Sequence, residues 1–167
     1  MTRGAAITGT IIFLLVPGTV AGLIPWGLTG WKLGSGYPGA SLVMILGAVL
    51  IVAGLGLILD CFARFAWGGR GTPAPIAPTA TLVIGGPYRR VRNPMYVAVL
   101  AMIFGQAMIC ASLSAAIYGL IVFGAFHAFV LAYEEPTLKR DHGAEFDIYA
   151  AAVPRWIPRL TPWSGTP

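Results

Sequence analysis

The chain reads as an all-α, polytopic membrane bundle of about four transmembrane helices, with a cytoplasmic linker and a C-terminal tail. Three observations predict this. Of its 167 residues, 57% are hydrophobic and only 10% charged, more apolar surface than one soluble core of this size encloses. The apolar residues gather into four runs, each long enough to cross a hydrocarbon layer of ~30 Å. The arginines and lysines abut the ends of those runs, as membrane orientation requires. A net charge of +5 would also suit a nucleic acid, but there is no separate basic face, so no nucleic-acid partner is expected. The length fits one membrane domain spanning 1–167.

The first span is expected at 5–26. Pro17 interrupts it and predicts a kink, and Gly18 with Gly22 forms a small-residue pair suited to helix approach. Arg3 ahead of an apolar stretch resembles a signal peptide, but the run is too long and lacks a small-x-small exit. Trp26 and Trp31 flank a short loop as interfacial anchors. The second span, 40–62, carries no charge before Asp60. Its Gly54-Leu55-Gly56 is followed by Leu59 where a nucleotide loop needs glycine, and no strand precedes it, so helix packing is the better reading. Asp60 and Arg64 are spaced as an interfacial ion pair. The sharper alternative is a contact to cofactor or substrate, because ionisable groups inside spans mark function. Cys61 and Cys110 fall at opposite ends of the bilayer, form no CxxC and have no ligating neighbours, so neither a disulfide nor a metal site is expected.

Residues 63–93 form a long linker. Thr72-Pro73-Ala74-Pro75-Ile76-Ala77-Pro78 should be polyproline-like, Thr81-Leu82-Val83-Ile84 is strand-like, and Gly85-Gly86-Pro87 is a turn. Arg64, Arg70, Arg89, Arg90 and Arg92 place this linker on the cytoplasmic side. The third span, 94–111, opens on Pro94, a favoured first helical residue. Ser112 and Ser114 mark a tight turn, and the fourth span follows at 115–133. Lys139, Arg140, Arg155 and Arg159 return the tail, 134–167, to the cytoplasm. Both termini are then cytoplasmic, and an inner-membrane location is expected.

The hairpin of spans three and four sets the geometry. Each arm is roughly 25–28 Å long, so Asn93 to Tyr96 and the Glu134-Glu135 pair end at one depth. Leu120, Gly124, His127, Leu131 and Glu134 share a stripe at 4-3-4-3 spacing, with Gly124 and Ala128 beside it as a small-residue packing pair. His127 and Glu134 are therefore expected to face inward, His127 either as a hydrogen-bonded core histidine or as a ligand contact. Acids at a helix C-terminus oppose the dipole, so a further reason for the twin glutamates is expected. The tail should hold a short amphipathic helix at 141–149 with Phe146 and Tyr149 on one side. After it, Val153-Pro154-Arg155-Trp156-Ile157-Pro158 is rigid and non-helical, either an interfacial anchor or a lid presenting Arg155.

Gly86-Pro87-Tyr88-Arg89, Val91-Arg92-Asn93-Pro94-Met95-Tyr96, Glu134-Glu135-Pro136-Thr137-Leu138 and the stretch from Tyr149 to Pro158 together resemble the isoprenylcysteine carboxyl methyltransferase family of integral membrane enzymes. Phospholipid methyltransferases share this C-terminal pattern. The resemblance covers about 71–158 and implies S-adenosylmethionine as cofactor, with a lipophilic or small-molecule methyl acceptor. Asn93 stands where the family pattern has histidine; it keeps a donor and an acceptor but cannot titrate.

The residue chemistry fits that cofactor. Glu134 and Glu135 can balance an ammonium and a sulfonium. Arg89, Arg92 or the backbone N–H groups at the N-terminus of the third helix can hold a carboxylate. Tyr88, Tyr96 or Trp156 can cover adenine or the sulfonium face. The expected cofactor-binding set is Tyr88, Arg89, Arg92, Asn93, Pro94, Tyr96, Glu134 and Glu135. Arg155 and Glu134 are the expected catalytic residues, Arg155 orienting an acceptor carboxylate. The acceptor expected first is an isoprenylcysteine-like carboxylate. Phospholipid and small-thiol acceptors are alternatives, as are a nicotinamide-dependent reductase with Arg89, Arg90 and Arg92 cradling phosphate, and a non-catalytic membrane subunit.

Overall fold

The computed structural model describes residues 15–36, 38–68 (side chains to residue 64), 82 and 84–165. The beginning of the first span, Arg70, the polyproline-like stretch and most of the strand-like one lie outside these residues. The chain is all-helical, with no strand among the described residues. Helix α1 spans Leu15–Thr29, α2 Ala40–Gly68 and α3 Pro94–Ile109. Helix α4 runs unbroken over Leu113–His142, and α5 covers Ala144–Ala152. A single 3₁₀ turn, Gly86–Arg89, precedes α3. Helices α2 and α4 are long and apolar enough to cross a membrane, while α1 and α3 are shorter apolar helices.

Helix α3 is the centre of the bundle, burying Ala98, Val99, Leu100, Ile103 and Ala107. Helix α2 reaches it through glycine. A Cβ on Gly47 would sit 2.6 Å from the Gly105 carbonyl oxygen, and one on Gly105 equally close to the Gly47 oxygen. Gly54 meets the Ala98 oxygen in the same way, at 2.7 Å. With no hydrophobic driving force between helices in lipid, such backbone approach is the source of packing energy. The packing reading thus holds for Gly54 but not for Gly56, which faces open space. Helix α4 completes the hairpin after the turn at Ser112, whose Oγ accepts from the Ala115 N–H at 3.2 Å and caps the helix.

Two helices widen into π turns, over Thr19–Leu23 in α1 and Val130–Glu134 in α4. Each ends two residues before a proline, Pro25 and Pro136. A proline has no N–H to give and its ring crowds the carbonyl four residues back, so the helix opens by one residue there. The turn that Pro17 would kink, four residues ahead of it, lies outside the described residues. In α1 the opened carbonyls find side chains: Gln106 Nε2 donates to Ala21 O at 2.6 Å and Tyr118 Oη to Val20 O at 2.9 Å. The indole of Trp31 in turn donates to Gln106 Oε1 at 3.0 Å.

Two small-residue pairs do not pack as expected. A Cβ added to Gly18, Gly22 or Gly124 would meet nothing within 4 Å, and Ala128 is exposed. The face of α4 that meets α3 is instead Ala115, Gly119, Val122, Phe126 and Val130, one residue round from the stripe that spacing suggested. Leu120 and Leu131 of that stripe are exposed.

The tail is a strap. Helix α5 buries Phe146 and Tyr149 against Leu82, Ile84, Leu138 and Trp163, as the amphipathic pattern implied. It begins at Ala144 because α4 continues to His142. From Val153 on, backbone pairs lash the strap over the segment before α3. Arg92 N–H donates to Pro154 O (2.9 Å), Arg159 N–H to Arg90 O (2.9 Å) and Trp163 N–H to Arg89 O (2.8 Å).

Candidate functional site

Four parts of the chain meet where α3 begins. Pro94 starts α3 and is buried. One turn on, Tyr96 Oη donates to Glu134 Oε2 at 3.0 Å. The π turn makes this contact possible. After Val130, regular helical spacing would bring Tyr133 to the α3 face, but Tyr133 is 46% exposed and Glu134 takes the inward place. Pro136 therefore acts on Glu134 through the backbone.

The second glutamate is differently held. Arg155 grips Glu135 with two donors, Nε to Oε1 at 2.7 Å and Nη2 to Oε2 at 2.9 Å. Arg92 Nη1 reaches the same Oε1 at 2.8 Å. Two guanidiniums thus share the Glu135 carboxylate, with Glu134 held separately by Tyr96. The arginines respond oppositely. Burial pulls Arg92 below its usual value despite Glu135, and Arg155 adds to that pull. The hydrogen bond to Glu135 pushes Arg155 up. The difference follows exposure, 13% for the Arg92 side chain and 29% for Arg155. Arg92 Nε is buried with no hydrogen-bond partner, a condition that costs about 1–3 kcal/mol.

Asn93, 7% exposed, donates from Nδ2 to Arg155 O at 3.1 Å. It ties the start of α3 to the strap, a role that needs a donor and no titration. Tyr88 turns toward α2, where it shares a hydrogen bond with the Cys61 thiol, and its carbonyl accepts from Tyr149 Oη at 2.7 Å. Burial first, then the neighbouring Cys61 and Glu134, push the Tyr88 phenol well up, so it stays neutral. The side chain of Arg89 makes no hydrogen bond or ion pair among the described residues; only its carbonyl is engaged, by Trp163. The expected residues Arg92, Asn93, Tyr96, Glu134, Glu135 and Arg155 are thus brought together, and Tyr88 and Pro94 border them.

One expectation changes. The glutamates are not at a helix end, since α4 continues eight residues past Glu134, so the dipole argument does not apply to them. Asp60 and Arg64 form the expected i,i+4 pair at 3.0 Å, with the Arg64 guanidinium against Gly86. Gly86 has φ +54°, so the backbone there favours glycine.

An aromatic wall that sequence reasoning assembled only in part lines one side of the cluster. Tyr96 stacks on Phe126 with centroids 4.5 Å apart, and Trp156 stands 6.4 Å from Tyr96 and edge-on to Phe123 at 5.2 Å. Trp156 Nε1 donates to His127 Nδ1 at 3.1 Å, which places the remaining imidazole proton on Nε2. His127 is thus a hydrogen-bonded anchor for the strap. Phe126 carried no signal beyond its place in an apolar run.

This pairing of a Pro-initiated helix with a twin-glutamate helix, under one strap, can be compared with known proteins. A family model described as phospholipid methyltransferase matches residues 42–145. The chain belongs to the phospholipid methyltransferase family. No curated protein and no solved structure matches it. As a member of this family, which is related to the isoprenylcysteine carboxyl methyltransferases, the protein is a membrane methyltransferase. The matched region takes in α2, α3, α4 and every residue of the polar cluster except Arg155.

Proposed function

We propose that this methyltransferase uses S-adenosylmethionine and methylates a lipophilic acceptor that reaches Glu134 from the bilayer. The observation that carries the reading is the buried Arg92 Nε, which has no hydrogen-bond partner among the described residues. A buried donor of this kind calls for an anionic acceptor, and the amino-acid carboxylate of the cofactor is one. Glu134, whose hydrogen-bond partner is the Tyr96 hydroxyl, leaves a carboxylate oxygen for an ammonium or sulfonium. The residues present therefore fit the group. When bound, it supplies an electrophilic methyl carbon.

The chain supplies position and dryness. Arg92 and Arg155, locked to Glu135, form a rigid floor, and Tyr96 orients Glu134. The strap, through Trp156, excludes water from above, which strengthens each of these charges. Residues Arg90 and Arg92 are engaged with the strap and with Glu135, which weighs against a phosphate cradle and a nicotinamide cofactor.

For the acceptor, two readings differ in what they ask of Arg155. An isoprenylcysteine-like carboxylate would have to share Arg155 with Glu135, which already holds Nε and one Nη2 N–H and leaves Nη1 for an acceptor. A phospholipid amine asks nothing of Arg155: Glu134 takes the ammonium proton, and Tyr96, Phe126 and Trp156 suit a methylated cation. The amine is the reading favoured here. Purified protein in lipid nanodiscs should transfer labelled methyl to phosphatidylethanolamine faster than to a prenylcysteine or a small thiol. Faster labelling of prenylcysteine would restore the carboxylate, and no labelling of any lipophilic acceptor would remove the function. An inner-membrane location with the glutamates on the cytoplasmic side accompanies this proposal.

A further inference from the structure

The strap has a lipid-facing apex that the reaction does not use. Ile157 and Leu160 are 78% and 93% exposed, the two most exposed large apolar side chains among the described residues. Three features fix what they meet. The first is depth. Arg155 holds Glu135, but the next residue, Trp156, bonds His127, eight residues earlier on α4 and about 12 Å further into the membrane-spanning part. The backbone then returns to Arg90 at Arg159, so Ile157 and Pro158 form the turning point beside the span.

The second is continuity. Trp156 packs on Phe123, which lies one turn from the exposed Leu120 on the same flank of α4, the surface that lipid covers. The third is charge. Arg90 gives Nη1 to the carbonyls of Arg159 and Leu160, and Arg159 gives Nη1 to Ala152 O. Neither has an acidic partner among the described residues, and nor has Arg89. Lys139 and Arg140, by contrast, are paired with Asp147 and Asp141. Three uncompensated guanidiniums thus border an apolar apex at bilayer height.

We propose that residues 156–160 are a wedge inserted into an anionic leaflet, with Ile157 and Leu160 among the acyl chains and Arg89, Arg90 and Arg159 at the lipid phosphates. Apolar contact and headgroup attraction then act on the same few residues. The inference does not depend on which group is methylated or on the cofactor, and its test measures depth, not turnover.

The test uses the full chain carrying Cys61→Ala and Cys110→Ala, with one nitroxide at Ile157→Cys or Leu160→Cys. It is placed in nanodiscs of phosphatidylcholine alone or of equal parts phosphatidylcholine and phosphatidylglycerol. Expected is a loss of collisions with an aqueous nickel complex and a gain with oxygen, as for a label at Leu131→Cys and opposite to one at Arg140→Cys. The loss should be larger in the anionic discs, and Arg89→Gln, which breaks no internal bond, should reduce the difference. Labels as open to nickel as the one at position 140 overturn the wedge, as does spin–spin broadening from a second copy. Equal depth in both lipids overturns the anionic leaflet. The unaltered protein gives a second readout. Trypsin should cut after Arg159 more slowly than after Arg140 in anionic discs, and equal rates contradict the proposal.

Discussion

Helix α3 has a polar cluster toward each end, and the two differ in one respect. At the far end Gln106 donates from Nε2 to Ala21 O and accepts at Oε1 from the Trp31 indole, while Tyr118 donates to Val20 O; these side chains answer the carbonyls that a proline-opened helix exposes. At the near end Tyr96, Arg92 and Arg155 bind the glutamates, yet a buried guanidinium N–H is left over and two cations share one anion. Both clusters sit in apolar surroundings, where an unmet donor is costly. A satisfied cluster is sufficiently explained by packing. One with a buried donor left unmet implies a ligand.

The comparison can be broken most severely at Glu134. Glu134→Gln should lower methyl transfer by about 10²-fold or more in a labelled-methyl assay while the melting temperature in detergent barely moves. A variant that keeps its activity would place the chemistry elsewhere. Pro136→Ala comes next. Relaxing the π turn should swing Glu134 away from Tyr96 and cost about 10-fold to 10²-fold in kcat/KM, while the helix gains from losing proline. Activity and stability should therefore move in opposite directions, and a parallel fall would mean that Pro136 serves the fold alone.

The far cluster sharpens the contrast. Gln106→Leu orphans Ala21 O and should lower unfolding free energy by about 1–3 kcal/mol, with S-adenosylhomocysteine affinity unchanged by calorimetry; a lost affinity would couple the two ends. His127→Ala is the smallest. It removes one neutral hydrogen bond, about 0.5–1.5 kcal/mol, and should shift thermal stability more than cofactor affinity, the reverse order promoting His127 to the site.

What the sequence made legible was the arithmetic of the hairpin. Arms of similar length had to return Glu134 to the level of Pro94, and Tyr96 and Glu134 do meet at 3.0 Å. The amphipathic pairing of Phe146 and Tyr149 was equally plain. The side of α4 that packs was not. Regular spacing from His127 gives a stripe through Leu120 and Leu131 that lies in the open, because the packed face of the regular part of α4 runs one residue round, through Ala115, Val122 and Phe126; the π turn ahead of Pro136 then brings Glu134 to that face. Pro25 and Pro136 mark the two π turns, so that signal is present in the sequence. The strap's bonds were out of reach for another reason. Backbone pairs such as Arg159 N–H to Arg90 O leave no trace in side-chain pattern, and neither does the fact that Arg155 holds Glu135 through Nε and Nη2.

The most direct measurement is titration calorimetry of the purified protein with S-adenosylhomocysteine, beside Arg92→Lys. Lysine keeps the charge but not the fork. The account predicts binding in about the micromolar range for the native chain and a loss of at least about tenfold for the variant, roughly one charge-assisted hydrogen bond. No heat with the native protein, or equal affinity in the two, would contradict it.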